Sequence, residues 1–303
     1  MTNMRSCWMS GTPILKNMRG LNYLFALWLA VSASVAVGSE GNSPNGLADI
    51  LEGPDRTPAW MARDQYRHPA ETLSFFGVES DMSVVEIWPG GGWYSEILGP
   101  YLASGKLYAA QFIAEGRPKY YGKLRIAFGE KLKAYPDVYP TTEMVDFDPA
   151  TGLLQVPEGS ADRVLTFRNV HNWLRSSSEA QAFSLFFKAL KPGGVLGVVE
   201  HRAPVGTSWE TMKTSGYMTE AYVIELAEKA GFVLDGRSEI NANPKDSASH
   251  PEGVWTLPPS LRLKDKDREK YLAIGESDRM TLRFKKPVPG QSGPDQSDTG
   301  TPE

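Results

Sequence analysis

Histidine titrates closer to neutrality than any other side chain and is the readiest general base. The chain has four: His68, His171, His201 and His250. His171 and His201 stand just after two apolar runs, 162–167 and 195–200, that read as strands. Glu200 directly precedes His201. A second centre of chemistry is the stretch Val84-Val85-Glu86-Ile87-Trp88-Pro89-Gly90-Gly91-Gly92. It reads as a buried strand bearing an acid, then a glycine turn, with an amphipathic helix to follow at 93–102. Glycine admits backbone angles and close approaches that a Cβ forbids. The free N–H groups of the following helix, with the positive end of its dipole, face back over such a turn. The turn can therefore receive a nucleotide-like ligand, or simply let helix and strand pack. An acid at the strand end accepts hydrogen bonds from ribose hydroxyls or an amine.

The elements that must position these residues follow a regular rhythm. Strands are expected at 82–87, 106–112, 143–147, 162–167, 195–200, 232–240 and 280–286. Helices are expected at 93–102, 115–134, 179–190 and 217–230. Strands alternating with helices imply a doubly wound α/β domain over 82–286. Ligands of such sheets bind beyond the carboxyl ends of the strands, which is where His171 and His201 fall. Ahead of the first strand, 54–76 is helix-prone and carries Arg63, Asp64, Arg67 and His68; it forms a cap within the segment 39–81 that either packs on the sheet or closes over a site. Residues 241–278 break the rhythm. An insertion this long is functional or disordered as a rule, and its aromatic content, with His250 and Trp255, argues for an ordered lid. From 287 onward the composition is that of a disordered tail.

The 303 residues have ordinary hydrophobic (41%) and charged (22%) fractions, those of a globular protein. A net charge of −4 argues against nucleic acid as the main partner. Lys16 and Arg19 precede an apolar run at 21–38 that ends in the small residues Ser34-Val35-Ala36, the pattern of a secretory signal over 1–38. The chain is then exported, to the periplasm, with no lasting membrane partner; the alternative is an uncleaved anchor. The single cysteine, Cys7, would be lost with the signal.

Four features together resemble the class I S-adenosylmethionine-dependent methyltransferases: Glu86-Ile87-Trp88-Pro89-Gly90-Gly91-Gly92, Gly159-Ser160-Ala161-Asp162-Arg163-Val164-Leu165-Thr166, Leu190-Lys191-Pro192-Gly193-Gly194-Val195-Leu196, and the terminal strand from Met280 to Phe284. More narrowly, Arg67-His68-Pro69-Ala70-Glu71-Thr72, Arg168-Asn169-Val170-His171-Asn172-Trp173 and Glu252-Gly253-Val254-Trp255-Thr256-Leu257-Pro258-Pro259 resemble a bacterial group of often exported members. The resemblance implies a Rossmann-like seven-stranded sheet with its last strand antiparallel and the insertion between strands six and seven. It implies S-adenosylmethionine as cofactor, with Glu86 toward the methionine end and Gly90, Gly91 and Gly92, entered through Trp88 and Pro89, beside the adenosyl group. It places Gln111 where the family carries an acid for the ribose, Asp146 or Asp148 near the adenine, and Arg168 and Asn169 along the methionine. Trp88 and Gln111 depart from the family's glycine and acid.

Methyl transfer needs an aligned nucleophile and, for oxygen or nitrogen acceptors, a base. His171 and His201 are the base candidates, with Glu200 as orienting partner. His68, Trp173, Tyr217, His250 and Trp255 are candidates for lining a small-molecule acceptor. No compact ligand spacing supports a metal site. The competing readings are a noncatalytic binding protein that keeps the fold, and a nicotinamide-dependent oxidoreductase, which shares the strand–glycine–helix start.

Overall fold

The computed structural model describes residues 46–290. The expected signal, the segment 39–45 and the tail from 291 lie outside the described residues. Four short helices come first: α1 (Leu47–Glu52), α2 (Pro58–Met61), α3 (Asp64–Arg67) and α4 (Pro69–Phe75). Pro58 and Pro69 open α2 and α4, where their missing N–H costs nothing and their fixed φ suits the first turn. Then follow β1 (Ser83–Ile87), α5 (Ser95–Tyr101), β2 (Lys106–Phe112), α6 (Lys119–Ala134), β3 (Thr142–Asp148), β4 (Leu153–Leu154), β5 (Ala161–Phe167), α7 (Val170–Arg175), α8 (Glu179–Ala189) and β6 (Leu190–His201). The chain continues through α9 (Trp209–Ser215), α10 (Glu220–Lys229), β7 (Val233–Ser238), a 3-10 turn (Gly253–Thr256), α11 (Arg268–Ile274) and β8 (Arg279–Lys285).

The strands form one sheet in the order β4-β3-β2-β1-β5-β6-β8-β7. Strands β3, β2, β1, β5 and β6 run parallel; β8 runs against both of its neighbours, β6 and β7. The sheet thus has eight strands rather than seven. The extra one, β4, is a two-residue return onto the end of β3, pairing Leu154 with Phe147 and Leu153 with Asp148. Two residues are too few for an alternation pattern to be read. For the same reason the six-residue α7 and seven-residue α9 carry no clear helical period in sequence.

Strand order reverses at β1, which pairs with β2 on one side and β5 on the other. Val84 and Val85 are buried on opposite faces, as the β-branched run requires. One face is covered by Trp173, Phe183 and Phe186, the other by Leu73, Phe76, Ile97 and Leu98. Gly197 in β6 lets the helical cap seat closely, since a Cβ there would stand 2.7 Å from the Phe76 ring. Alanine at that position is overpacked, a change that costs about 1–3 kcal/mol.

The insertion at 241–278 is tied down at its base. Asn243 Nδ2 donates to the carbonyls of Ile274 (2.9 Å) and Glu276 (2.6 Å). Gly253, in the left-handed region (φ 56), passes so close to the Ser215 backbone that no side chain would fit. Among the described residues no helix is long and apolar enough to cross a membrane.

Candidate active site

The glycine turn is built on β1. Glu86 is buried, and Ser95 Oγ donates to its Oε2 at 2.6 Å. Burial pushes the carboxyl up to about 7, opposed by the Ser95 hydrogen bond. Trp88 leaves the strand in the left-handed region (φ 48), an uncommon place for a bulky residue. Its indole lies across the ends of the neighbouring strands, 6.1 Å from the Phe112 ring, 5.9 Å from Phe147 and 5.6 Å from Trp173. Its Nε1 donates to the Phe147 carbonyl at 3.2 Å. Gly90 (φ 62) faces open space, with nothing within 4 Å of where a Cβ would stand. Gly91 lies under Trp60 from the cap, and Gly92 (φ 91) under Phe128 from α6. Gln111 is buried; its Nε2 donates to the Gly90 carbonyl at 2.7 Å, and its Oε1 has no partner. Arg125 sits 2.5 Å from Asp146, and Arg117 3.4 Å from Asp148. Asn169 Nδ2 donates to the Ile87 carbonyl at 2.9 Å, joining the end of β5 to the end of β1.

The histidines meet one strand further along. α7 begins almost directly after β5 and turns His171 toward the end of β6. Its Nδ1 lies 3.1 Å from Glu200 Oε1. Glu200 is fully buried and also accepts from the backbone N–H of His201 (2.8 Å) and of His171 (3.3 Å). An ionised carboxylate only accepts hydrogen bonds, so the His171 proton belongs on Nδ1 and the lone pair on Nε2. The rings of His171 and His201 are 5.4 Å apart. His201 Nδ1 is 2.5 Å from Ser277 Oγ. Burial, then repulsion from His171 and Arg279, holds His201 well below the usual histidine range, so it is neutral at pH 7.

These groups face a cavity of about 230 Å³ whose walls include Arg168, His171, His201, Trp255, Pro258 and Arg279. Arg168 also has left-handed backbone (φ 63). Burial and the nearby Arg279 charge lower its guanidinium to about 10. His171, Glu200 and His201 bring ligand atoms within 4.8 Å of one another, a closeness that sequence spacing does not reveal. Two guanidinium groups on the same cavity oppose a cation there.

Of the residues considered for the acceptor wall, Trp255 lines this cavity, its ring flanked by the guanidinium groups of Arg175 at 4.3 Å and Arg262 at 4.8 Å. The others do not. Trp173 is a core side chain with no exposed surface, packed on Trp88, Phe147 and Phe186. Tyr217 is buried behind His201 and donates to Asp246 Oδ2 at 2.9 Å. His250 Nε2 lies 2.8 Å from Asp246 Oδ1, so both polar ends are used in fixing the insertion. His68 takes left-handed backbone (φ 39) between α3 and α4 and lines a separate cavity with Tyr66, Asn243 and Glu276. Sequence reading passed over Glu276, Ser277 and Arg279, which reach the site from just before and within β8.

No family model matches the chain, and no curated protein does. Solved structures share its fold at low identity. A protein described as a sarcosine dimethylglycine methyltransferase from Galdieria sulphuraria aligns over 77% of this chain and 90% of its own, with a TM-score of 0.52 and 11% identity. The fold is the Rossmann-like fold of methyltransferases. The [4+2]-cyclase SpnF aligns over 78% of this chain and 86% of its own, with a TM-score of 0.51 and 16% identity. A methyltransferase fold thus sits beside differently described activities, and the reaction has to be argued from the site.

Proposed function

We propose that the protein transfers a methyl group from S-adenosylmethionine to a small-molecule acceptor, with His171 as general base. One observation carries this reading. The β1 turn with Glu86 and the His171–Glu200 pair stand at the carboxyl ends of the neighbouring strands β1, β5 and β6, and the Asn169–Ile87 hydrogen bond ties the end of β5 to that of β1.

The residues of the turn fit the cofactor. Gly90 leaves room for a ligand beside the backbone, the unpartnered Oε1 of Gln111 can accept from a hydroxyl, and Glu86 can accept from an amine or hydroxyl. Trp88 stands where the resemblance puts the adenine and is the side chain that has to turn. When bound, the cofactor supplies an electrophilic methyl carbon. The chain's part is to align the acceptor and take its proton. Glu200 holds the His171 ring with Nδ1–H inward and Nε2 free to accept. His201, kept neutral by burial, adds no charge to a cavity already facing two guanidinium groups.

Calorimetry with S-adenosylhomocysteine on the mature protein tests the cofactor. Binding is expected; no heat up to millimolar concentration overturns the reading and favours a noncatalytic binding protein. Once an acceptor is in hand, His171→Ala should lower kcat by about 10²–10⁴ while leaving S-adenosylhomocysteine affinity unchanged. Export to the periplasm is part of the same proposal, and fractionation of cells expressing the full chain tests it.

A further inference from the structure

Around the cavity the structure gathers more positive charge than it neutralises. Arg63, Arg67 and Arg279 converge on a single carboxylate, Glu276: Arg63 Nε at 2.5 Å from Oε1, Arg67 Nε at 3.4 Å from Oε2, and Arg279 on the same Oε2. Arg168 stands beside them with no ion pair or side-chain hydrogen bond among the described residues. Four guanidinium groups thus share one acid. Arg67 and Arg279 are almost wholly buried (3% and 2% exposed), yet Arg67 Nη2 and Arg279 Nε are buried without partners. A buried charge without a counterion is expensive. A cluster that keeps such an excess is built to receive a negative group.

We infer that the cavity binds a small organic oxyanion, a carboxylate or phosphate group of the methyl acceptor, between Arg168 and Arg279. As an assignment of the acceptor this rests on the methyl-transfer reading; as an anion site it stands alone. The placement argues for the acceptor rather than the cofactor. The walls of this cavity come from the ends of β5, β6 and β8 and from the Trp255–Pro259 part of the insertion, while Glu86 and the glycine turn are not among them. Guanidinium groups offer planar forks that match carboxylate and phosphate oxygens. An anion held there lies in the same cavity as His171, so the rest of the molecule can present its nucleophile to Nε2. The volume, about 230 Å³, is below the ~300–1,000 Å³ usual for drug-sized ligands and suits a small metabolite.

Malonate and phenyl phosphate, titrated calorimetrically at constant ionic strength into the mature protein with and without saturating S-adenosylhomocysteine, test the site. At least one should bind in both conditions, and which binds tighter identifies the anion. Arg168→Gln should weaken that binding about ten- to a hundredfold, the loss of a charge-assisted hydrogen bond. The Arg168 side chain makes no hydrogen bond or ion pair among the described residues, and its backbone bond to the Val199 carbonyl is untouched by the substitution, so this variant should remain folded; Arg168→Lys should recover part of the affinity. The inference is overturned if neither anion binds, if Arg168→Gln binds as well as the native protein, or if saturating S-adenosylhomocysteine abolishes anion binding. The last result would give the cluster to the cofactor's own carboxylate. Anion binding by a protein that does not bind S-adenosylhomocysteine would leave this site standing and remove methyl transfer.

Discussion

Two regions at the carboxyl ends of the strands, the β1 turn and the cavity beside β5 and β6, are finished to different degrees. On the β1 side, the charged groups are taken up by the protein itself, Glu86 by Ser95, Asp146 by Arg125 and Asp148 by Arg117, and the neutral Gln111 amide keeps only its Oε1 unpartnered among the described residues. Trp88 fills space there with its indole. On the β5–β6 side, Arg168 is unpaired, Arg67 and Arg279 keep unpartnered nitrogens, and a cavity stands open. A closed half has to rearrange when its ligand enters. An open half is preorganised, so the binding energy there is not spent on reordering side chains.

Three experiments probe this contrast. The largest effect is expected in the open half. Glu276→Gln removes the one carboxylate that pairs with Arg63, Arg67 and Arg279 among the described residues and should cost about 3–5 kcal/mol in urea unfolding at neutral pH. Desolvation would raise the Glu276 carboxyl, but Arg279 and Arg67 overcome it and hold it far below its ordinary 4.5. Its contribution is therefore present above about pH 4.5 and lost as the pH falls, so native and variant should converge in acid. A constant difference at all pH values would mean that the cluster is not held by that charge.

In the closed half the sign reverses. Glu86 is raised from 4.5 to about 7, so the folded state holds a proton that the unfolded chain has released. Native stability should fall as pH rises from about 4.5 to 7. Glu86→Gln abolishes that titration and should gain on the native protein by about 3 kcal/mol across this interval. Parallel stability curves would show that the carboxyl is better solvated than its burial implies. The smallest effects concern the turn. Gly92→Ala places a Cβ 2.6 Å from Phe128 and should cost about 2 kcal/mol. Gly90→Ala meets nothing, and its positive φ alone should cost about 1 kcal/mol. Equal melting shifts for the two would contradict the packing described for Phe128.

The β1 turn was legible because its evidence is local: a β-branched run, then three glycines, within nine residues. That His171 and His201 lie at one end of the sheet was legible, because each stands at the carboxyl end of a strand and those strands are adjacent and parallel; their contact through Glu200 was not, because residue spacing does not carry it. Trp88 was not. Its indole is placed by a left-handed backbone and by rings on β2, β3 and α7, none of which a pattern within β1 can supply. Tyr217 and His250 carry suitable chemistry, and only the fold shows both committed to Asp246. The arginine cluster was hidden for a further reason. Arg63 and Glu276 are 213 residues apart, and each alone reads as an ordinary surface charge.

The position of β8 has a consequence for incomplete chains. This strand, near the end of the described chain, lies inside the sheet between β6 and β7. Until it arrives, β6 has a bare edge of unpaired amides along its apolar run 195–199, a template for pairing with another molecule. The same strand delivers Arg279 to Glu276 and to the Tyr66 carbonyl of the cap. A product cut off before residue 279 would therefore be sticky and would lack Arg279 at the cavity. Self-association of such fragments, beside a monodisperse full-length protein, would be its visible mark.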